Sequence, residues 1–89
     1  MEIISGRPYT EEGMIRTFTT EVPDEEYVWH RDKKDRNVEI LEGEGWQLQF
    51  EGSLPYLLND INTVFIPKNV YHRLIKGYNT LRVRINENN

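Results

Sequence analysis

The stretch Trp46-Gln47-Leu48-Gln49-Phe50 (residues 46–50) has the clearest alternation of apolar and polar side chains in the chain. Because successive side chains of a β-strand point to opposite faces, the pattern predicts a strand with three apolar side chains on one face and two amides on the other. We expect the apolar face to lie in the core, since burial of apolar surface is the larger energetic term. Gln47 and Gln49 then face solvent, or alternatively face a cavity as substrate contacts.

Strand-like segments of similar length lie on both sides of this stretch. They are rich in β-branched and aromatic residues, and turn-forming residues separate them every few positions. The predicted strands cover residues 14–20, 25–32, 38–42, 46–50, 54–58, 63–66, 71–75 and 80–85, with Ile3 and Ile4 as a further edge strand. Turns or connections are expected at residues 10–13, 33–36, 43–45 and 51–53, and a hairpin turn at residues 76–79. No stretch has a convincing helical pattern, so an all-β sandwich or barrel is predicted.

The chain has 89 residues, which is the length of one domain, and we expect that domain to span residues 1–89. Residues 1–23 would form N-terminal edge strands, residues 24–85 the barrel core, and residues 86–89 a frayed tail. A domain of this size buries only a modest share of its surface. We therefore expect the chain to associate as a homodimer.

Charge and composition narrow the classes of partner. Eleven basic and fifteen acidic residues give a formal net charge of -4, and the chain has no cysteine. The acidic balance argues against a nucleic acid or an anionic membrane surface as the main partner. No disulfide framework can form, and no apolar run reaches the roughly 20 residues that span a bilayer. We expect a cytoplasmic protein that binds a small molecule.

The two histidines of the chain define the candidate site. His30 and Asp32 are one residue apart, so on a strand they would share a face, and His72 lies on a later predicted strand. Two imidazoles and one carboxylate form the ligand set that non-haem Fe(II) sites use, with coordination positions left open for substrate. The alternative is that Asp32 pairs with a neighbouring arginine or lysine on the surface and that the histidines are ordinary strand residues.

Four further residues are candidates for substrate binding. Arg36 follows the His-x-Asp pair, Arg82 lies on the last predicted strand, and an arginine near the site could bind a carboxylate with two hydrogen bonds. Gln47 and Gln49 complete this set. For Arg82 an equally good explanation is a charged residue on an exposed edge strand, where charge opposes aggregation.

Together these residues resemble the motifs of a small single-domain cupin. The first cupin motif, G(X)5HXH(X)3-4E(X)6G, is matched by His30 and Gly43, while Asp32 replaces its second histidine and Arg36 or Asn37 its glutamate. In the second motif, G(X)5PXG(X)2H(X)3N, Pro67 and His72 are kept and Asn69 replaces the middle glycine. Asparagine best replaces glycine where the backbone is left-handed. The resemblance covers roughly residues 24–85.

The resemblance implies a cupin-type double-stranded β-helix, or jelly-roll barrel, with a divalent metal ion. The ion would be held by His30, Asp32 and His72, three protein ligands in place of the four that cupins usually supply. Fe(II) is our first expectation, and Mn, Ni or Zn would also fit such a ligand set. An arginine at the position of the glutamate would repel the cation or bind an anion.

Three classes of function are consistent with these residues, and in the third the histidines are incidental. In the first, the protein is a metal-dependent enzyme with oxygenase or isomerase-type chemistry on a small polar substrate; the fold does not choose between such reactions. In the second, it is a non-catalytic cupin that binds a small sugar or acid. In the third, it is a β-sandwich interaction module.

Overall fold

A computed structural model describes residues 9–23 and 27–88. Within them the chain forms eight strands and one 3-10 helix, Leu58–Asp60. The strands are β1 Tyr9–Glu12, β2 Ile15–Phe18, β3 Asp35–Glu42, β4 Gln47–Phe50, β5 Tyr56–Leu57, β6 Thr63–Ile66, β7 His72–Ile75 and β8 Leu81–Asn88. The all-β prediction is therefore confirmed for the described residues. Ile3 and Ile4, predicted to form an edge strand, lie outside them.

The strands form two antiparallel sheets. The larger sheet has the order β1-β2-β8-β3-β6, and the smaller has the order β5-β4-β7. Alternation along β8 places Leu81 and Val83 in the core and leaves Arg82 exposed. The architecture is that of a two-layer β-sandwich, in which each sheet buries one face against the other.

The core is a cluster of apolar and aromatic side chains between the sheets. Trp46 is fully buried, its ring centroid lies 5.6 Å from that of Tyr27, and its indole Nε1–H donates to the carbonyl of Asn79 at 2.6 Å. That hydrogen bond satisfies the polar atom that would otherwise make burial of the indole costly. The buried apolar residues are Phe18, Val22, Tyr27, Val38, Trp46, Leu48, Leu58, Ile66, Leu81 and Val83.

The last two strands do not form the predicted hairpin. β7 pairs with β4 in the small sheet, whereas β8 lies between β2 and β3 in the large sheet. Residues 76–79 therefore cross from one sheet to the other. Gly77 makes the crossing possible, because a Cβ there would collide with the backbone of Trp46 and the carbonyl of Glu44.

The position of β8 also corrects two other predictions. β8 is an interior strand and not an exposed edge, and residues 86–88, expected to be frayed, pair with Asp35, Arg36 and Asn37 of β3. β2 pairs only with residues 81–84 of β8, so residues 86–88 are held by their pairing with β3 on one side. That ladder gives their backbone groups hydrogen-bond partners, which explains why the polar sequence Asn86-Glu87 continues the strand.

Several local predictions need smaller corrections. Residues 10–12, predicted to form a turn, belong to β1, and the turn is centred on Gly13. β3 begins at Asp35, within the predicted connection 33–36. The strand predicted over residues 54–58 is only the two-residue strand β5. The predicted strand over residues 25–32 is also wrong for its described part, where His30 makes only an isolated bridge to His72. Positive φ angles at Gly43 and Gly45 agree with the turn predicted there.

No helix among the described residues has the length and apolar character that crossing a membrane would require.

Candidate metal centre

A single backbone pair brings the two histidines together. The amide of His30 donates to the carbonyl of His72 at 3.0 Å, and the amide of His72 donates back at 2.9 Å. Side chains of directly opposed residues in an antiparallel pair lie on the same face. The imidazole centroids are accordingly 4.3 Å apart, with the rings inclined by 61°.

Asp32 completes the group from the same side. Its backbone carbonyl accepts from the amide of Asn69 at 2.7 Å, which holds the segment beside the turn before β7. Its carboxylate Oδ2 lies 3.4 Å from His72 Nε2. One ligand atom from each of His30, Asp32 and His72 can be chosen so that all lie within 4.8 Å of one another. The predicted three residues therefore meet, although the segment that carries two of them is not a regular strand.

In both histidines a hydrogen bond holds Nδ1 against a backbone carbonyl, so that Nε2 of each ring is the nitrogen left to bind a metal ion. His30 Nδ1 lies 3.1 Å from the carbonyl of Val28, and His72 Nδ1 lies 2.9 Å from the carbonyl of Val70. A carbonyl oxygen only accepts, so each Nδ1 carries the proton. In a neutral ring Nε2 then has its lone pair free. This arrangement, with one ring nitrogen donating to a carbonyl, is how proteins orient histidines that ligate metals.

The carboxylate of Asp32 contains an atom without a hydrogen-bond partner among the described residues. Oδ2 is buried and accepts no hydrogen bond, although His72 Nε2 is 3.4 Å away. With the proton of His72 on Nδ1, two lone pairs face each other across this gap. A buried acceptor without a donor is costly, and a cation between the two atoms removes the cost. The residues present thus fit a metal ion.

Charges around Asp32 keep it ionised. Burial by itself raises the pKa of this carboxyl, but the contact with His72, the guanidinium of Arg36 and the two imidazoles together hold the pKa below its ordinary value of 3.8. Burial of the His30 ring is the largest effect on that residue and lowers its pKa below 6.5. The hydrogen bond to the carbonyl of Val28 raises the pKa, but burial and the charge of His72 together outweigh it. An ionised carboxylate and a neutral imidazole are the forms that bind metals.

Arg36 lies directly beside the three residues. Its Nη1 is 3.3 Å from Asp32 Oδ1 and its Nη2 is 3.5 Å from Glu87, while its buried Nε has no hydrogen-bond partner among the described residues. Arg36 therefore orients Asp32 through one oxygen and leaves the other directed to the histidines. Glu87 was missed at the sequence level, because it lies in the tail expected to be frayed; the register of β8 against β3 places it opposite Arg36.

The group opens on a cavity of about 240 Å³ between the sheets. His30, Asp32, Arg36 and His72 line one part of it, and the walls are otherwise mostly apolar. A second arginine, Arg16, was not singled out from the sequence although it also lines the cavity.

The other three substrate candidates do not line this cavity. Gln49 accepts from Arg73 Nε at 2.8 Å and donates to the carbonyl of Ser53, on the outer face of the small sheet. Gln47 lies on the same strand face, in register with residues of β5 and β7. Arg82 is exposed and lies 3.6 Å from Glu42 on the outer face of the large sheet. The solvent-facing alternative for the two amides matches these positions.

The aromatic residues beside the site also point outward. The guanidinium of Arg73 lies 4.8 Å from the Trp29 ring centroid, and that of Arg31 lies 5.3 Å from the Tyr71 ring centroid. Such stacked arginines cover aromatic surface at exposed positions. None of these four side chains lines the cavity.

Comparisons with known proteins give a likeness at the level of fold. No protein-family model matches the chain, and no curated protein matches it. Among solved structures, protein NMB1881 from Neisseria meningitidis matches over 91% of this chain and 80% of its own, with a TM-score of 0.58 and 16% sequence identity. At that identity the likeness supports the two-sheet fold alone.

Proposed function

We propose that the chain is a small cupin-like protein that binds a divalent metal ion through Nε2 of His30, Nε2 of His72 and one carboxylate oxygen of Asp32. The observation that carries the proposal is the buried Asp32 Oδ2, which faces His72 Nε2 at 3.4 Å without a hydrogen-bond donor. The order His-x-Asp followed by a distant histidine, on a two-sheet β fold, supports the cupin assignment.

The donor set indicates which ions fit. Two imidazoles with one carboxylate suit Fe(II), and Mn, Ni or Zn accept the same ligands. Three protein ligands leave coordination positions open, and a bound ion would supply Lewis-acid or oxygen-activating chemistry to a small molecule in the cavity. The chain's own residues bind and orient: the two backbone carbonyls hold the imidazoles, and Arg36 holds the carboxylate.

A competing function needs no metal. If His72 is doubly protonated, its Nε2–H faces Asp32 and the pair is an ion pair, in which case the cavity would serve a non-catalytic binding protein. The mostly apolar cavity and the arginine in place of the motif glutamate favour this second candidate.

Metal titration of the purified protein separates the two functions. We expect metal-free protein to take up Zn²⁺, Mn²⁺ or Fe²⁺ at one equivalent, measured by calorimetry and by elemental analysis after desalting. Asp32→Asn should weaken binding by more than about 100-fold, since even residues that only orient ligands cost about 10–100-fold. Glu42→Gln is the matched control, because it removes an exposed carboxylate that pairs with Arg82 on the outer face.

Two outcomes would contradict the proposal. One is no stoichiometric uptake of any of these ions by folded protein. The other is equal metal affinity in the wild type and Asp32→Asn, which would make Asp32 a partner of Arg36 alone.

A further inference from the structure

The cavity wall away from the metal centre has a consistent chemistry. Ile40, Val64, Leu74 and Ile85 are apolar, line the cavity and are only half-buried. They lie on four different strands, on the faces that pack toward the core. Their remaining accessible surface is therefore directed at the cavity, where an apolar group would cover it favourably. This wall can therefore contact the apolar part of a ligand.

The other part of the cavity combines the metal centre with Arg36. Asp32 and Arg36 line this part of the cavity, and Glu87, which does not line it, pairs with Arg36 from a more exposed position; the three together carry one negative charge. A bound divalent cation would change this to one positive charge. A single anionic group restores neutrality, and burying an unbalanced charge is otherwise unfavourable.

Arg36 has capacity to contact such an anion. A guanidinium has five N–H donors, and strong charge-assisted bonds to a carboxylate are about 2.7–2.9 Å long. The contacts of Arg36 to Asp32 and Glu87 are longer, at 3.3 and 3.5 Å. Arg16, the second arginine on the cavity wall, already has two partners. Its Nε lies 2.8 Å from Glu11 Oε2, and its guanidinium carbon lies 4.4 Å from the Tyr9 ring centroid.

We infer that the cavity of the metal-loaded protein binds a small amphipathic monocarboxylate, with its carboxylate between the metal centre and Arg36 and its apolar body against the wall formed by Ile40, Val64, Leu74 and Ile85. The inference rests on the proposed metal site. The cavity of about 240 Å³ is smaller than the roughly 300–1,000 Å³ typical of pockets for drug-sized ligands. The ligand is accordingly a short aliphatic or single-ring acid.

A chain-length series tests the apolar wall. Zn²⁺-loaded protein is titrated with acetate, butanoate and hexanoate by calorimetry; zinc is chosen because it has no redox chemistry. Affinity should rise about fourfold for each methylene buried, the factor that corresponds to about 0.8 kcal/mol. Hexan-1-ol and hexylamine are matched in length but lack the negative charge, and both should bind at least tenfold more weakly than hexanoate.

Three variants test the placement of the ligand. Arg36→Gln, at saturating Zn²⁺, should lose at least tenfold in hexanoate affinity, whereas Arg82→Gln should not change it. Val64→Phe should narrow the cavity and abolish the gain from butanoate to hexanoate while acetate still binds. Methyl NMR spectra of the wild type should show hexanoate-induced shifts at Leu74 and Ile85, and thermal melts confirm that each variant is folded.

The results distinguish failure of this inference from failure of the proposed function. If zinc binds at one equivalent but hexanoate binds no tighter than acetate or hexan-1-ol, the inference is wrong and the metal site stands. If Arg16→Gln weakens binding and Arg36→Gln does not, the carboxylate has been placed wrongly. If no metal binds, both the proposed function and this inference are wrong. If metal-free protein binds hexanoate as tightly as zinc-loaded protein does, the cation has no part in recognition and the inference is wrong.

Discussion

His30 and His72 exchange both of their backbone hydrogen bonds, at 3.0 and 2.9 Å, and their rings lie 4.3 Å apart. The bridge joins an irregular segment to the first residue of β7, and the hydrogen bond from the Asn69 amide to the Asp32 carbonyl holds the same segment two residues further on. The position of the candidate metal centre thus depends on short backbone contacts of these residues and not on a long strand ladder.

Metal affinity should depend on pH, because protons and the cation compete for the same lone pairs. The pKa of His30 is lowered below 6.5, so its competition should begin only below that pH. As the pH falls below the pKa of His30, the apparent Kd should rise at least about tenfold for each pH unit, since a proton must leave that imidazole for each ion bound. Calorimetric Kd values for Zn²⁺ between pH 4 and 8 measure this. A constant Kd over that range would exclude imidazole ligation.

Folding stability without metal should fall in acid for a related reason. The pKa values of His30 and Asp32 are both lowered in the folded state. The unfolded chain therefore binds more protons, and stability rises with pH. The contribution of His30 to the free energy of unfolding is complete above pH 6.5 and is lost as the pH falls through the lower pKa of the folded state. The contribution of Asp32 is complete above pH 3.8 and is lost as the pH falls through its own lower folded-state pKa.

Urea denaturation at a series of pH values tests this dependence. Asp32→Asn should give a flatter stability profile below pH 4 than the wild type, whereas Glu42→Gln should leave its shape unchanged. A steeper acid dependence in Asp32→Asn would mean that the folded pKa of Asp32 is raised.

The turn before β7 should require a residue that tolerates positive φ. Asn69 has φ of 65°, and its amide donates to the carbonyl of Asp32. Asn69→Gly should be close to neutral, while Asn69→Val should cost about 1–2 kcal/mol, because the left-handed conformation crowds a branched Cβ. We also expect Asn69→Val to weaken Zn²⁺ binding, since the turn holds Asp32 in place. Urea denaturation and zinc titration of both variants provide the measurements.

The crossing between the sheets should be sensitive at Gly77 for a steric reason. A Cβ at Gly77 would collide with Trp46 and Glu44, and we expect Gly77→Ala to destabilise the fold by about 1–3 kcal/mol, the usual cost of overpacking. Gly13→Ala is the control, because Gly13 has φ of 62° but open space around it. That variant should cost only about 1–2 kcal/mol of backbone strain. If Gly77→Ala melted at the wild-type temperature, the close packing of this crossing would be in doubt.

The alternation of polar and apolar residues determined most of the strands. Residues 46–50 and 63–66, together with the segments around β2, β3 and β7, were predicted as strands and are strands within a residue or a few at each end. Side-chain period is a local property, because it depends only on backbone geometry along one strand. The same reasoning predicted a shared face for His30 and Asp32, but their segment is not a strand, and the bridge to His72 and the hydrogen bond from Asn69 to Asp32 bring them together instead.

What the sequence by itself determined is the set of candidate metal-ligating residues, the all-β class and most of the positions that turn. Only the tertiary structure decided which strands are neighbours: it placed β8 in the interior of the large sheet, brought Glu87 to Arg36, and put Gln47, Gln49 and Arg82 outside the cavity. Strand pairing is a long-range choice, made by which faces pack together, and a period of two within one strand carries no information about its partner.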